Sequence, residues 1–435
     1  MTDSKIMDKL VSLCKRRGFI FRSSDIYGGL EATYDYGPLG VELKNNVKQL
    51  WWRDVVTSRT DVVGMDAAIF MNSKVWEASG HVSEFHDPMV DCKNCKARFR
   101  EDHIDLDKNC PTCGVKEWTD ARQFNLMLKT HYGPSEDSSS VVYLRPETAQ
   151  GIFVNFANAV TTSRAKLPFG IAQIGKAFRN EITTGNFLFR SREFEQMEME
   201  FFVKPEETSE WLEYWSLARL DWYKSLGITE EKLKLRPHEN NELAHYADAC
   251  FDVEYEFPFG WSELEGIADR GSYDLNQHAQ HSGKKLTWFD SKTNEHITPA
   301  VVEASAGVDR TVLTILVDAY HEEEVKSEQR VVLKLNPKVA PITVAVFPLV
   351  NRDGMPEIAE KIIDALKGDF ATFFDAGGSI GRRYRRQDEA GTPYGVTVDS
   401  DTLTDQAVTV RERDSMAQER VAMDQLSSYV FDKLR

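Results

Sequence analysis

The run Arg192-Glu-Phe-Glu-Gln-Met-Glu-Met-Glu-Phe201 constrains the fold more than any other stretch, because as a strand it is charged on both sides. Alternation puts Arg192, Phe194, Gln196, Glu198 and Glu200 on one face, and Glu193, Glu195, Met197, Met199 and Phe201 on the other. Neither face is cleanly apolar, so the strand suits a sheet whose floor lines a polar cavity. A second strand-like run begins at Gly170, and the loop Thr183-Thr184-Gly185-Asn186 between the two predicts a hairpin over 170–203. Arg179, Arg190 and Arg192 crowd this segment with guanidinium forks that match phosphate geometry. On these residues alone, a polyanion site and a surface salt-bridge ladder both remain open.

Length and composition narrow the class. A chain of 435 residues suggests two or three domains, and 41% hydrophobic residues supply a sizeable core. The net charge of −16 argues against broad non-specific nucleic-acid binding, which needs clustered Lys and Arg, but leaves room for a local basic site. No stretch approaches the length of an apolar membrane span, and Met1–Phe19 mixes charges into an amphipathic pattern, so neither membrane insertion nor export is expected. Six cysteines are too few for a disulfide scaffold, which points to a reducing, cytoplasmic setting.

Four of those cysteines form two Cys-x-x-Cys pairs, Cys92/Cys95 and Cys110/Cys113, separated by 14 residues. Two such knuckles can aim four thiolates at one tetrahedral cation, the pattern of a closed, structural zinc site without an open position for catalytic water. Two unrelated turn motifs or a redox dithiol are the alternatives. Cys14 and Cys250 read as ordinary core thiols.

Elsewhere, Leu39, Leu43, Val47, Leu50, Trp51 and Val55 recur at helical spacing after the turn Tyr36-Gly37-Pro38. Residues 206–226 read as a helix, 251–260 as a strand, 301–303 as a strand end and 307–319 as a helix. After Pro337 the pattern changes to α/β alternation: a strand in 342–350, a helix over 356–367, strands at 371–376, 394–399 and 407–412, a basic helix over 379–388 and a last helix over 415–434. This predicts domains at 1–335, with a small cysteine-bearing insertion over 91–115, and at 336–435. The run Arg382-Arg-Tyr-Arg-Arg386 would usually be a solvated helix face, but in so acidic a chain it suits RNA phosphates and base stacking.

The segments SDIYGGLEATYDYGPLGVELKNN (24–46), VWEASGHVSEFHDPMVDCKNC (75–95), LRPETAQGIFVNF (144–156), GIAQIGKAFRNEIT (170–183), FRSREFEQMEMEFF (189–202), GWSELEGIADRGSYDL (260–275) and EASAGVDRTVL (303–313) resemble the class II aminoacyl-tRNA synthetases, and within them the dimeric glycyl-tRNA synthetases. The resemblance runs through nearly the whole chain. It implies an α+β catalytic domain, an antiparallel sheet flanked by helices, with an inserted zinc-ribbon-like module and a C-terminal α/β anticodon-binding domain. It further implies tRNA(Gly), ATP and glycine as substrates, Mg²⁺ with the ATP, and a homodimer built on the helix 39–55. Two departures stand out: Ala304 replaces a Pro of many relatives, a change expected to loosen that strand end, and the segments 281–298 and 400–407 are short.

By resemblance, Arg179 binds the α-phosphate and Arg310 the γ-phosphate, making these two the catalytic pair. Glu181 meets the adenine amino group, Phe194 stacks on adenine, and Glu263 with Leu264 forms the ATP-side strand, its carboxylate holding Mg²⁺. Asn180, Phe189, Arg190, Arg192 and Gly307 complete the ATP set. Glu147, Glu198, Glu303 and Ser305, with Phe194, form the glycine pocket, and Arg270 and Arg100 lie on the substrate side. Glycine offers only an ammonium and a carboxylate, so several acceptors around the ammonium are a sensible recognition device, and larger amino acids are rejected by lack of space. His81 and His86 read as structural or RNA-proximal. A rival reading is a synthetase-like RNA-binding or regulatory paralogue without catalysis; such chains lose the motif arginines, and Arg179 and Arg310 are both present.

Overall fold

The hairpin over 170–203 forms two neighbouring strands of a seven-stranded sheet, one place in from its edge. The computed structural model describes residues 4–434 except 102–103, 138–139, 183, 240–241, 245–246 and 326, so Thr183 of the expected hairpin loop lies outside the described residues. In chain order the strands are β1 (Val62–Gly64), β2 (Phe169–Phe178), β3 (Glu193–Val203), β4 (Leu233–Pro237), β5 (Ala249–Phe257), β6 (Gly260–Gly271) and β7 (Ala300–Gly307). They lie side by side as β4-β5-β6-β7-β3-β2-β1, antiparallel throughout except for the parallel edge pair β1–β2.

The helices that matter here are α1 (Ser4–Arg17), α2 (Pro38–Trp52), α3 (Ala149–Ser163), α4 (Thr208–Ser225), α5 (Tyr273–Ser282) and α6 (Val308–Ala319). On the back of the sheet, Met197, Met199 and Phe201 of β3 pack against Leu43, Val47 and Trp51 of α2, Trp215 of α4 and Val312 of α6 in the main core. On β3 the charges of that face sit at the start of the strand, where Glu195 meets Lys44 at 2.8 Å and Lys48 at 3.1 Å, and Glu193 meets Lys176. The opposite face is divided. Phe202 and Val301 at one end join Phe153 and Phe156 of α3 and Leu275 of α5 in a second apolar cluster, and the rest is the floor of a cavity.

The helix expected over 39–55 is α2, with Pro38 in its first turn, followed by a five-residue π-helical turn, Arg53–Thr57. At Gly40 a Cβ would lie 1.9 Å from the carbonyl oxygen of Phe19, so only glycine lets α2 dock there. Ala304 is buried mid-strand and paired on both sides, with Met199 and Ile267, so the strand end is not loosened. The cysteine pairs lie beside a three-stranded sheet of His86–Asp91, Arg98–Arg100 and Arg122–Asn125. Among the described residues no helix is long and apolar enough to cross a membrane.

The C-terminal unit has its own apolar core. Its strands β8 (Val344–Pro348), β9 (Thr372–Phe374), β10 (Tyr394–Val398), β11 (Ala407–Glu412) and β12 (Gln418–Ala422) are ordered β9-β8-β10-β11-β12, with helices α7 (Met355–Leu366), α8 (Ile380–Ala390) and, after a 3₁₀ turn, α9 (Leu426–Leu434). The single helix expected over 415–434 is therefore wrong in its first half. Gln418–Ala422 pairs antiparallel with β11, and this tertiary pairing overrides the helix-forming Gln and Glu at its start.

The basic run also departs from expectation. In α8, Arg383 is buried and donates to the carbonyls of Pro348 and Gly378, and Arg386 is latched to Asp375 at 2.6 Å. Tyr384 packs edge-on against Phe347 with its hydroxyl 2.7 Å from Thr397, so it is a packing residue and presents no ring for base stacking. Of the four arginines only Arg382 is exposed.

Candidate active site

The cavity on the sheet floor has a volume of about 340 Å³, within the range of small-molecule sites. β3 supplies Phe194, Gln196 and Glu198 to it from alternate positions, and β7 supplies Glu303 and Ser305 in the same way. Glu198 and Ser305 are directly opposite in the antiparallel register, which brings the hydroxyl to 2.7 Å from the carboxylate.

One end of the cavity is rich in guanidinium. Arg179, just past the end of β2, donates to the Pro146 carbonyl at 3.0 Å and lies 5.3 Å from the Phe194 ring centre. Arg310, in the first turn of α6, lies 4.3 Å from the Phe189 ring and pairs with Glu263 at 3.3 Å. The start of α6 is anchored by Asp309, which accepts from Tyr36 at 2.5 Å, Lys44 at 3.2 Å and the backbone N–H of Glu195 at 2.7 Å. Glu181 is buried 3.9 Å from Arg190. Two arginines with aromatic rings beside them offer the charge and the flat surfaces that a nucleotide requires.

The other end is acidic. Glu147 accepts from Gln150 at 3.0 Å and lies 3.3 Å from the Nε2 of His81; burial raises its pKa, but His81 and Arg270 outweigh this and hold the carboxyl well below the usual range. Glu198 accepts from the hydroxyls of Thr148 and Ser305, yet burial, followed by the charges of Glu303 and Glu147, pushes its pKa up to about 8. Burial also raises Glu303, against the pull of Arg270, whose fork is bidentate on Asp274 at 2.8 and 3.0 Å and reaches Glu303 at 2.5 Å.

Of the residues singled out from sequence, Glu147, Arg179, Glu181, Phe189, Arg190, Phe194, Glu198, Glu263, Glu303, Ser305, Gly307 and Arg310 line the cavity. Arg192 instead donates to the carbonyls of Glu181 and Glu31, Leu264 is a core residue, Asn180 is tied by its backbone to Leu126, and Arg270 acts from behind through Glu303. Arg100 is on the insert, 3.1 Å from Asp87, and does not line the cavity. Cys250 is not a core thiol: it is half-buried on the cavity wall near His238 and Asp252. Thr148, Gln150 and Asp274 were missed, and His81 was read as structural or RNA-proximal, because no periodicity shows that Thr148 reaches Glu198, that Gln150 reaches Asp274 or that His81 reaches Glu147 across 50 or more residues of chain.

In the insert, Cys92 and Cys113 are 3.6 Å apart by their sulfurs, Cys95 and Cys110 3.7 Å, and all four lie within 4.8 Å of one another.

The antiparallel sheet, its flanking helices and the cavity of arginines and carboxylates define a class II tRNA synthetase: the tRNA synthetase class II core domain (G, H, P, S and T) matches residues 132–319, and an anticodon binding domain matches 343–433. The chain also resembles the solved prolyl-tRNA synthetase of Cryptosporidium parvum in its complex with halofuginone and AMPPNP, with a TM-score of 0.69 at 16% identity, covering 98% of this chain and 76% of that one; this likeness concerns the fold. It is 56% identical over 429 residues to the glycine–tRNA ligase of Borreliella burgdorferi (strain B31), covering 98% of this chain and 96% of the relative. It is 54% identical over 446 residues to that of Treponema denticola, covering 100% and 99%. The chain belongs to the glycine–tRNA ligase family.

Proposed function

We propose that this enzyme activates glycine with ATP to glycyl-adenylate, releasing pyrophosphate, and transfers the glycyl group to the 3′ end of tRNA(Gly), releasing AMP. The observation that carries the reading is the polarity of the cavity: a buried carboxylate cluster fit for a small ammonium at one end, and arginines fit for a triphosphate at the other. Glycine held by its ammonium among Glu147, Glu198, Glu303 and Ser305 would present its carboxylate toward Arg179. The carboxylate attacks the α-phosphorus, the P–O bond to pyrophosphate breaks, and Arg179 stabilises the charge gathered on the phosphoryl oxygens. Arg310 takes the γ-phosphate end, Phe194 and Arg310 flank the adenine, and Glu181 accepts from its amino group. No protein nucleophile is required; catalysis comes from in-line positioning and charge stabilisation.

The carboxylate of Glu263, on the cavity wall beside Arg310, has the hard oxygen chemistry that suits Mg²⁺ arriving with ATP. The metal neutralises phosphate charge when bound. The four cysteine sulfurs suit a structural zinc, since a ZnS₄ tetrahedron with bonds of about 2.3 Å has edges of about 3.8 Å, close to the observed 3.6 and 3.7 Å. We assign 1–335, with the insertion 91–115, to the catalytic domain and 336–435 to the anticodon-binding domain; the separate apolar cores support this division. Homodimerisation near α2 is supported by Ile26 and Tyr27, 88% and 87% exposed on the segment leading into it. A cytoplasmic setting agrees with free cysteines throughout.

ATP–pyrophosphate exchange with a panel of amino acids tests the reading. Glycine alone should support exchange, and the alanine or serine rate should be lower by about 10- to 200-fold or more, the scale of one side-chain group forced into a closed pocket. Exchange with alanine as fast as with glycine would sink the pocket assignment.

A further inference from the structure

Behind the lining of the glycine pocket, on the same face of β3 as Glu198, lies a carboxyl that the reading above does not use. Glu200 of β3 is 0% exposed, and neither of its oxygens accepts a hydrogen bond from any described residue. It stands directly opposite Glu303 in the β3–β7 register, and one oxygen each from Glu198, Glu200 and Glu303 lie within 4.8 Å of one another. The charged groups facing it are Glu303 from β7, Glu198 from its own strand, Asp274 from α5 and Arg270 from the end of β6. From β2 it meets Ile171, which brings no charge. Three of these four groups are acids, and the Arg270 fork is already shared between Asp274 and Glu303.

A bare carboxylate in this position would lack both water and donors, and like charges directly opposite on neighbouring strands repel. Burial first, and then Glu303, push the Glu200 pKa well above the usual carboxylate range. A protonated carboxyl removes both problems, because it is neutral and becomes a donor. Arg270 occupies Oε2 of Glu303, which leaves Oε1 for a second donor.

We propose that Glu200 is a fourth carboxyl of the glycine pocket that keeps its proton and donates a hydrogen bond to Glu303, holding Glu303 in place for the substrate's ammonium. The proposal rests on the reading of this cavity as a glycine site. Glu200 is then a positioning residue, acting through Glu303.

The infrared difference spectrum of the wild-type enzyme against Glu200→Gln at neutral pH should contain the carbonyl stretch of a protonated carboxylic acid; a difference confined to carboxylate bands overturns the proposal. In pyrophosphate exchange, Glu200→Leu, which fills the space without a donor, should raise the glycine KM about tenfold or more while leaving the ATP KM in place, the size of one lost hydrogen bond to a charged group. Glu200→Gln, whose amide can donate, should recover most of that loss. Leu equal to wild type, or Gln as poor as Leu, overturns the proposal. Where the Leu variant does not fold, the infrared spectrum and the Gln variant decide. Absence of glycine-dependent exchange in the wild-type enzyme would refute the glycine reading instead, and the infrared result would still report whether Glu200 holds a proton.

Discussion

At the scale of single residues, Glu198 makes the glycine pocket sensitive to pH. Its pKa of about 8 means that below that pH the empty pocket holds it largely protonated, and an ammonium must displace the proton. The glycine KM should therefore fall as pH rises toward 8, by up to about tenfold per unit, and level off above it. The ATP KM, set at the arginine end, should stay flat; a glycine KM independent of pH would refute the account. Stability runs the opposite way. A carboxyl whose folded pKa is raised contributes stability that is full below the ordinary carboxylate pKa and is lost as pH rises through about 8. The Tm of the wild type should decline across that window more steeply than that of Glu198→Gln.

At the scale of elements, the hairpin β2–β3 was legible from its strand runs and polar loop, α2 from its hydrophobic period, and α4 and α6 from segments rich in helix-forming apolar residues. Strand β3 was legible in a further sense: its two-sided charge separates into a lysine-paired start on the back and a pocket on the front. Roles within that pocket came from family resemblance, since alternation gives a residue's face and not its partner. Strand β12 was hidden because a short polar segment with good helix formers becomes a strand only when β11 lies beside it. The arginines of α8 misled for a related reason: a run of like charges says nothing about which of them find carbonyls and carboxylates behind the helix. The structure now separates their effects. Arg383→Gln should lower stability by roughly 2–4 kcal/mol through loss of buried donors, with exchange activity retained below the melting range. Arg382→Gln should leave Tm nearly unchanged and, if α8 meets tRNA, lower the log–log salt slope of tRNA binding by about 0.7 to 0.9. A tRNA affinity and slope equal to wild type would place the contact elsewhere in the domain.

At the scale of the molecule, the two apolar cores meet across a buried ionic junction. Arg330, 0% exposed on the strand Glu328–Leu333, donates to Asp388 of α8 at 2.9 Å, and Arg411 of β11 reaches the other oxygen of Asp388 at 3.0 Å. Arg413 adds bonds to the carbonyls of Leu335 and Gly391, each at 2.8 Å. Burial works against the Asp388 charge, but the two arginines prevail and lower its pKa, so its contribution is complete above the ordinary carboxylate pKa and is lost in acid. Asp388→Asn should cost roughly 3–5 kcal/mol, because it leaves buried arginines without their counter-ion. Calorimetry should show a single transition in the wild type separating into two in the variant; a single unsplit transition would mean that the junction does not couple the cores.

The same junction bears on inheritance. Asp388 answers to an arginine from each side, so a C-terminal domain grafted from another synthetase would be accepted only if it carried an acid at this place, or if Arg330 changed with it. Recombination at the boundary is thereby penalised even though each half has a core of its own.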